Sequence, residues 1–243
     1  MPTAPAADQR RLLEVQAADL AVQQARHRRA TLPEVAQIDE LTARAADLGD
    51  ESAARSAAVG DIRREVTKIE DDVASVRARA ERDNARLQSG QGTPKDLTAL
   101  SSELEVLARR TSELEDTELE AMERLEAAEA ELASAQTQQA EISAQIASLT
   151  VARDAAYADI DAELEEIARQ RGAAADGLDA GLLALYERLR DQHGGIGAAA
   201  LVRGQCQGCH MTLNAGDLAA IQAAAEDAVV RCEECGRILV REA

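Results

Sequence analysis

The sequence predicts a mostly α-helical protein: a long antiparallel coiled-coil hairpin, followed by a small C-terminal domain of short β-strands with an inserted helix. Three observations lead to this prediction. Apolar residues recur at alternating steps of three and four over most of the chain, two glycines interrupt this pattern, and two CxxC pairs stand near the C-terminus. Alternating steps of three and four place apolar side chains along one seam of a helix, as in coiled coils.

The composition of the 243 residues favours narrow helical seams over a large globular core. Phe and Trp are absent, Tyr occurs twice, and 30% of the residues are charged. Large cores draw much of their buried area from aromatic rings, so small aliphatic side chains with dense charge favour long helices. The formal net charge of −18 disfavours non-specific binding of DNA or anionic membrane over most of the surface.

Two helices are predicted before the glycines. The first covers residues 8–31 and has a weak periodicity through Leu13, Leu20 and Val22. Pro33 then begins a second helix, which runs to about residue 88. The apolar positions of its seam are Ile38, Leu41, Ala45, Leu48, Val59, Ile62, Val66, Ile69, Val73 and Val76.

A turn is predicted at about residues 89–93, because Gly90 and Gly92 remove helix preference. Thr93 can cap a new helix, in which Pro94 suits the first position and Asp96 the positive end of the helix dipole. The turn is short, so the third helix should fold back on the second. Its seam consists of Leu97, Leu100, Leu104, Leu107, Leu114, Ala121, Leu125, Ala128, Leu132, Ala135, Ile142, Ile146 and Leu149. The seams could also pair between chains, which leaves a monomer and a coiled-coil dimer open.

The whole chain is predicted to divide into a hairpin domain over residues 1–177, a connecting helix within 178–195, and a head over 196–243. Gly172 and Gly177 mark the end of the third helix, and Gly194-Gly195 ends the connecting one. Short apolar runs at 201–202, 229–230 and 238–240 predict strands, with a short helix from about 215 to 225 between them.

Four cysteines form the candidate metal site. Cys206 and Cys209 make one CxxC pair, and Cys232 and Cys235 make another after twenty-two intervening residues. Each pair lets two thiolates reach one metal from a tight turn, so the sequence predicts one structural Zn²⁺ with four sulfur ligands. Such a site has no open position for a reacting water.

The surroundings of the four cysteines leave some alternatives open. Gly208 and Gly236 are predicted to adopt the backbone conformations of the two turns, and His210 to be no ligand. Two disulfides or four free thiols are the competing interpretations, and iron could replace zinc among four sulfurs. The N-terminus, residues 1–8, lacks an apolar signal-peptide core, which predicts a cytoplasmic protein, where disulfides are rare.

These residues resemble the bacterial C4-type zinc ribbon proteins with an N-terminal coiled-coil hairpin. The resemblance is carried by Tyr186, by the stretches 204–209 and 232–239, by the turn at 93–97, and by residues 114–116. It implies a non-enzymatic protein whose relatives are regarded as adaptors or regulators that bind proteins or nucleic acid. The sequence departs from such ribbons at Glu233, where a proline is common.

The predicted hairpin tip is basic, whereas the arm behind it is acidic. Residues 77–95 have a local net charge of +3, and residues 101–131 one of −8. The tip residues could contact an acidic protein surface or a nucleic-acid backbone, or could pair with acids across the hairpin. These residues are Arg77, Arg79, Arg82, Arg86 and Lys95. A second basic cluster at 26–29 has the same two interpretations.

The sequence therefore predicts a non-enzymatic interaction protein, with a coiled-coil arm that presents a zinc ribbon and a basic tip to a protein partner. The alternative is a regulator that binds RNA or DNA. The head has a net charge of −2 and no aromatic residue, which ranks protein binding ahead of nucleic-acid binding there. No membrane partner is expected, since no run of eighteen apolar residues occurs.

Overall fold

A computed structural model describes residues 2–241 of the chain. Its helices are α1 (Ala6–Ala30), α2 (Pro33–Gln88), α3 (Pro94–Ala175), α4 (Ala180–Gln192) and α5 (Ala215–Ala223). Its strands are β1 (Ala198–Val202), β2 (Gln205–Cys206), β3 (Val230–Arg231) and β4 (Ile238–Arg241). Long helices that form a hairpin, followed by a small sheet with an inserted helix, confirm the predicted fold class. Within residues 2–241 no helix combines the length and apolar character needed to cross a membrane.

The chain divides into two compact units, of which Gln37–Leu149 is one. In this hairpin unit every apolar residue predicted for the two seams is buried or half-buried. One cluster of buried side chains joins Val66, Ile69 and Val73 of α2 to Leu114 and Ala121 of α3. Ala121 is fully buried, and a side chain this small lets the two helices approach closely.

Exposed ion pairs connect the two arms of the hairpin unit and agree with its antiparallel register. They join Arg55 to Glu131, Arg63 to Glu129, Arg124 to Glu65, Arg77 to Glu115 and Arg79 to Glu103. Position numbers rise along α2 as they fall along α3, as antiparallel pairing requires. Exposed pairs contribute at most about 1 kcal/mol each, so the buried seam supplies most of the stability and the pairs help to fix register.

The turn of the hairpin has the predicted chemistry. Gly90 and Gly92 have φ angles of 63° and 144°, which L residues rarely adopt. The Thr93 backbone N–H donates to Asp96 Oδ2 over 3.0 Å, and the Asp96 N–H donates to Thr93 Oγ1 over 3.3 Å. This reciprocal capping box satisfies two N–H groups at the start of α3.

The second unit comprises the described residues before position 37 and after position 149. Its sheet has the order β2-β1-β4-β3, with β1 parallel to β4 and the outer pairs antiparallel. Helices α1 and α4 pack with this sheet around one core. The core residues are Ala4, Leu12, Val15, Ala174, Leu178, Leu182, Tyr186, Leu189, Ala198, Val229 and Ile238.

The buried face of α1 differs from the predicted one. Leu20 is 40% exposed, whereas Leu12 and Val15 are fully buried. Gln9, Gln16 and Asp19 share the buried face. Half of the buried residues on this face are polar side chains with hydrogen-bond partners. The prediction used the spacing of apolar residues only, and therefore placed the buried face of α1 incorrectly.

Candidate metal centre

The sulfur atoms of the two CxxC pairs meet at one point of the head. The Sγ atoms of Cys206, Cys209, Cys232 and Cys235 all lie within 4.8 Å of one another. Cys206 Sγ is 4.0 Å from Cys235 Sγ, and Cys209 Sγ is 3.9 Å from Cys232 Sγ. Four sulfurs about 2.3 Å from a tetrahedral Zn²⁺ would be about 3.8 Å apart, so the donor set fits this ion.

Two turns of the same construction hold the four cysteines. In the first turn, the His210 N–H donates to the Cys206 carbonyl over 2.8 Å, and the Cys206 N–H donates to Met211. In the second turn, the Gly236 N–H donates to the Cys232 carbonyl over 2.8 Å, and the Cys232 N–H donates to Arg237. Because the hydrogen bonds match, the two CxxC pairs lie in two separate loops of the same type. In each loop both thiols are directed to one side.

The residue after each second cysteine carries the left-handed backbone of these turns. His210 has a φ of 60° and Gly236 a φ of 72°. The prediction for Gly236 is confirmed, but Gly208 does not have a positive φ. Gly208 is needed for a different reason: a Cβ there would lie 2.9 Å from Cδ of Arg237 and 3.0 Å from Cβ of Ala199. The sequence spacing could not show which glycine is required for its positive φ and which for the lack of room for a Cβ.

Hydrogen bonds and burial change the acidity of the thiols in opposite directions. Burial raises the pKa of Cys206, and raises that of Cys232 to about 12. Burial also acts to raise the pKa of Cys235, but the backbone and side-chain N–H groups of Arg237 donate to its sulfur and hold its pKa at about 7. A bound Zn²⁺ would supply the positive charge that keeps all four sulfurs as thiolates.

Arg237 also connects the metal centre to the segment before β1. Its Nε donates to the carbonyl of Ile196 over 2.9 Å, and its Nη2 donates to that of His193 over 3.3 Å. Arg231 donates to the carbonyl of Gly236 over 2.6 Å and so supports the second turn. His210 is exposed.

A polar cluster that sequence analysis did not find lies in the same unit as the metal centre. Tyr186 and Arg190 of α4 and Arg171 of α3 all donate to the carboxylate of Asp19 on α1, over 2.6, 2.9 and 2.6 Å. Burial alone would raise the pKa of Asp19, but these three hydrogen bonds hold it below its usual value. One buried carboxylate thus joins three helices.

Gln16 makes a second polar connection from α1 to the strands. Its Oε1 accepts from the N–H groups of Gly197 and Ala198 over 2.7 and 3.3 Å, and its Nε2 donates to the carbonyl of Gly195 over 3.0 Å. A Cβ at Gly197 would lie 2.6 Å from the carbonyl oxygen of Tyr186, so only glycine fits there. The start of β1 is therefore fixed against both α1 and α4.

The five predicted tip residues divide into two groups. Arg77 pairs with Glu115 and Arg79 with Glu103, as the pairing interpretation expects. Arg82, Arg86 and Lys95 are exposed and form no ion pair with any of residues 2–241. In the second basic cluster Arg28 pairs with Glu163, and Arg29 pairs with Asp161 and lies over the Tyr157 ring at 4.2 Å.

Comparison with protein families extends the description to nearly the whole chain. A family model described as the CT398-like coiled coil hairpin domain matches residues 15–194, and one described as the C4-type zinc ribbon domain matches residues 205–239. Together with the four clustered sulfurs, the second match confirms the prediction of one structural zinc.

Several similar proteins come from mycobacteria. An uncharacterized protein of Mycobacterium tuberculosis is 38% identical over 235 residues, which is 97% of this chain and 96% of that protein. A solved structure from Mycobacterium smegmatis is 36% identical, with a TM-score of 0.84 over 99% of this chain and 100% of that one. The structure of CT398 from Chlamydia trachomatis has a TM-score of 0.63 at 17% identity, over 97% and 98% of the two chains, and shares the fold.

Proposed function

Because this chain belongs to the family defined by the CT398-like coiled coil hairpin domain with a C4-type zinc ribbon, we propose that it is a non-enzymatic adaptor that binds a protein partner. In this proposal zinc has a structural role. Four cysteine sulfurs fill a tetrahedral site and leave no position for a substrate or a reacting water. The partner is then bound by surfaces away from the metal.

The observation that carries the proposal is the set of free basic side chains at the hairpin tip. Arg82, Arg86 and Lys95 are exposed and have no ion-pair partner within residues 2–241, whereas Arg77 and Arg79 are paired across the hairpin. Unpaired cations on an acidic chain concentrate positive potential at one place. That potential favours an acidic surface on the partner.

A second candidate function uses the same three side chains to bind the phosphates of RNA or DNA. The two functions differ in how binding depends on salt. Three phosphate contacts give a slope of log K against log salt of about −2 for single strands and about −3 for duplex DNA. The acidic arm and the absence of aromatic residues from the head rank this function second.

The test is affinity capture with the intact protein and with the tip variant Arg82→Glu/Arg86→Glu. Arg109→Glu/Arg110→Glu is the matched control, because it makes the same change in net charge on the acidic part of α3. We expect a specific protein to be retained by the wild type and the control, and lost with the tip variant. Equal capture by all three, or no specific partner, contradicts the proposal. Capture of nucleic acid with the slopes above supports the second candidate instead.

A further inference from the structure

Two large apolar side chains stand exposed on the charged surface of the hairpin unit. Leu119 is 59% exposed and Met122 is 48% exposed, and the two are three residues apart on α3. Residues at this spacing are neighbours on one face of a helix. Leu119 and Met122 do not belong to the buried seam between the helices. The seam residues in this part of α3 are Leu114, Ala121 and Leu125.

Leu119 and Met122 line a groove of about 560 Å³ between α2 and α3. Val66 and Leu125 contribute further apolar surface to it. From Leu119 to Glu129 the lining runs along α3 for about 15 Å at 1.5 Å per residue, which is nearly three turns. A groove of this length between two antiparallel helices suits a third helix laid along it.

The rim of this groove is acidic. Glu70 of α2 and Glu123 and Glu126 of α3 line it and form no ion pair with any of residues 2–241. The one basic residue of the lining, Arg63, pairs with Glu129 at 2.5 Å. The groove therefore offers an apolar floor with three uncompensated negative charges along its sides.

We propose that this acidic groove binds an amphipathic helix of a partner protein, with an apolar face flanked by Lys or Arg residues. The inference gives the adaptor proposed above a second binding surface, separate from the basic tip, and rests on that proposal. The apolar face of the helix covers Leu119 and Met122, and its basic flanks reach the three free glutamates. Met122 is flexible and polarizable, which lets one groove accept apolar side chains of different shape.

Charge argues against a second copy of the groove as the occupant. Two such grooves facing each other would bring together uncompensated glutamates from both chains, and like charges in close contact oppose association. A basic helix instead neutralises Glu70, Glu123 and Glu126 as it buries the apolar floor.

The probe for this proposal is a fluorescent synthetic helix of about 18 residues, with leucines on one face and lysines beside them. One control peptide has the same residues in an order that removes the apolar face, and another has glutamates in place of the lysines. Binding is followed by fluorescence anisotropy with the full-length zinc-loaded protein. We expect the basic amphipathic peptide to bind and both controls to bind at least about tenfold more weakly.

The groove variant is Leu119→Gln/Met122→Gln, which keeps the net charge and changes only exposed positions. Val106→Gln is the matched control, because Val106 is 48% exposed on the same helix and does not line the groove. We expect the groove variant to weaken binding about tenfold or more and the control to leave it unchanged. Glu123→Gln/Glu126→Gln should weaken binding and flatten its salt dependence.

Three results would overturn the proposal: equal affinity for the groove variant and the wild type, equal affinity for the reordered peptide, or a dimer in light scattering that Leu119→Gln/Met122→Gln dissociates. The last result would make a second copy the occupant. If the groove variant binds the basic peptide as well as the wild type does while a partner is still captured through the tip, the groove is disproved and the adaptor stands. Failure to capture any partner disproves the adaptor, whatever the peptide affinities.

Discussion

The Tyr186 hydroxyl donates a hydrogen bond of 2.6 Å to Oδ2 of Asp19, a residue 167 positions earlier in the chain. Tyr186 is fully buried at the centre of the core that α1 and α4 share with the sheet. Arg171 and Arg190 complete the surroundings of the same carboxylate. This arrangement makes α1 part of the framework that carries the metal centre.

The first prediction compares two changes to this hydrogen bond. Asp19→Ala leaves two partly buried arginines and the tyrosine without their acceptor, and should destabilise the unit by about 3 kcal/mol. Tyr186→Phe removes one donor but keeps both arginine contacts, and should cost only about 1 kcal/mol. Native-state hydrogen exchange at α4 amides measures both. Equal effects of the two changes would show that the arginines contribute nothing to holding α1.

The second prediction concerns acid. The hydrogen bonds hold the pKa of Asp19 below its ordinary value of 3.8, so the folded state favours its ionised form. The resulting stabilisation is present above about pH 4, and is lost as the pH falls through the lowered pKa. Asp19→Asn has no such group to titrate. In urea unfolding below about pH 4, the difference in stability between wild type and Asp19→Asn should therefore shrink; a constant difference would contradict the assignment.

The helical part of the fold could be predicted from the sequence because coiled-coil packing depends on the local spacing of apolar residues. Each seam residue of the hairpin unit follows from a step of three or four, and the turn follows from Gly90, Gly92 and the capping pair Thr93 and Asp96. The four cysteines were recognisable for the same reason, since two residues between ligands is a property of local sequence.

Contacts between distant residues could not be predicted in this way. Asp19 and Arg171 are 152 residues apart, and nothing local marks them as partners. The only sign in the sequence that Asp19 is buried was its position four residues after Val15 and seven after Leu12, which places it on their face of α1. The apolar periodicity of that helix was weak. The split of the tip into paired Arg77 and Arg79 and free Arg82 likewise depends on which acids the opposite arm brings close.

The third prediction uses the two matching turns of the metal centre. His210 and Gly236 occupy the same left-handed position, which glycine adopts with less strain than histidine. His210→Gly should stabilise the head by about 0.5 kcal/mol or more, while Gly236→Ala should destabilise it by about 1–2 kcal/mol. Gly236→Asn should cost less than Gly236→Ala, because Asn tolerates this conformation. Thermal unfolding of the zinc-loaded protein ranks the three variants, and a stabilising Gly236→Ala would refute the shared geometry.

The fourth prediction is that zinc holds the head together while the hairpin unit does not need it. Without metal, two buried thiols, Cys206 and Cys232, lie beside two further sulfurs with no cation between them, and β2 and β3 are two-residue strands at the edges of the sheet. Chelation should therefore increase hydrogen exchange across residues 205–239 and release one zinc per chain.

The internal control for chelation is exchange in Gln37–Leu149, the compact unit built on its own seam. Its amides should keep their protection with and without chelator, and Cys232→Ser should reproduce the pattern without any chelator. Unchanged exchange at 205–239 after complete metal removal would mean that the strands and core hold the head by themselves. Loss of protection in both units would mean instead that the zinc site stabilises the entire chain, because folding of the hairpin would then depend on the head.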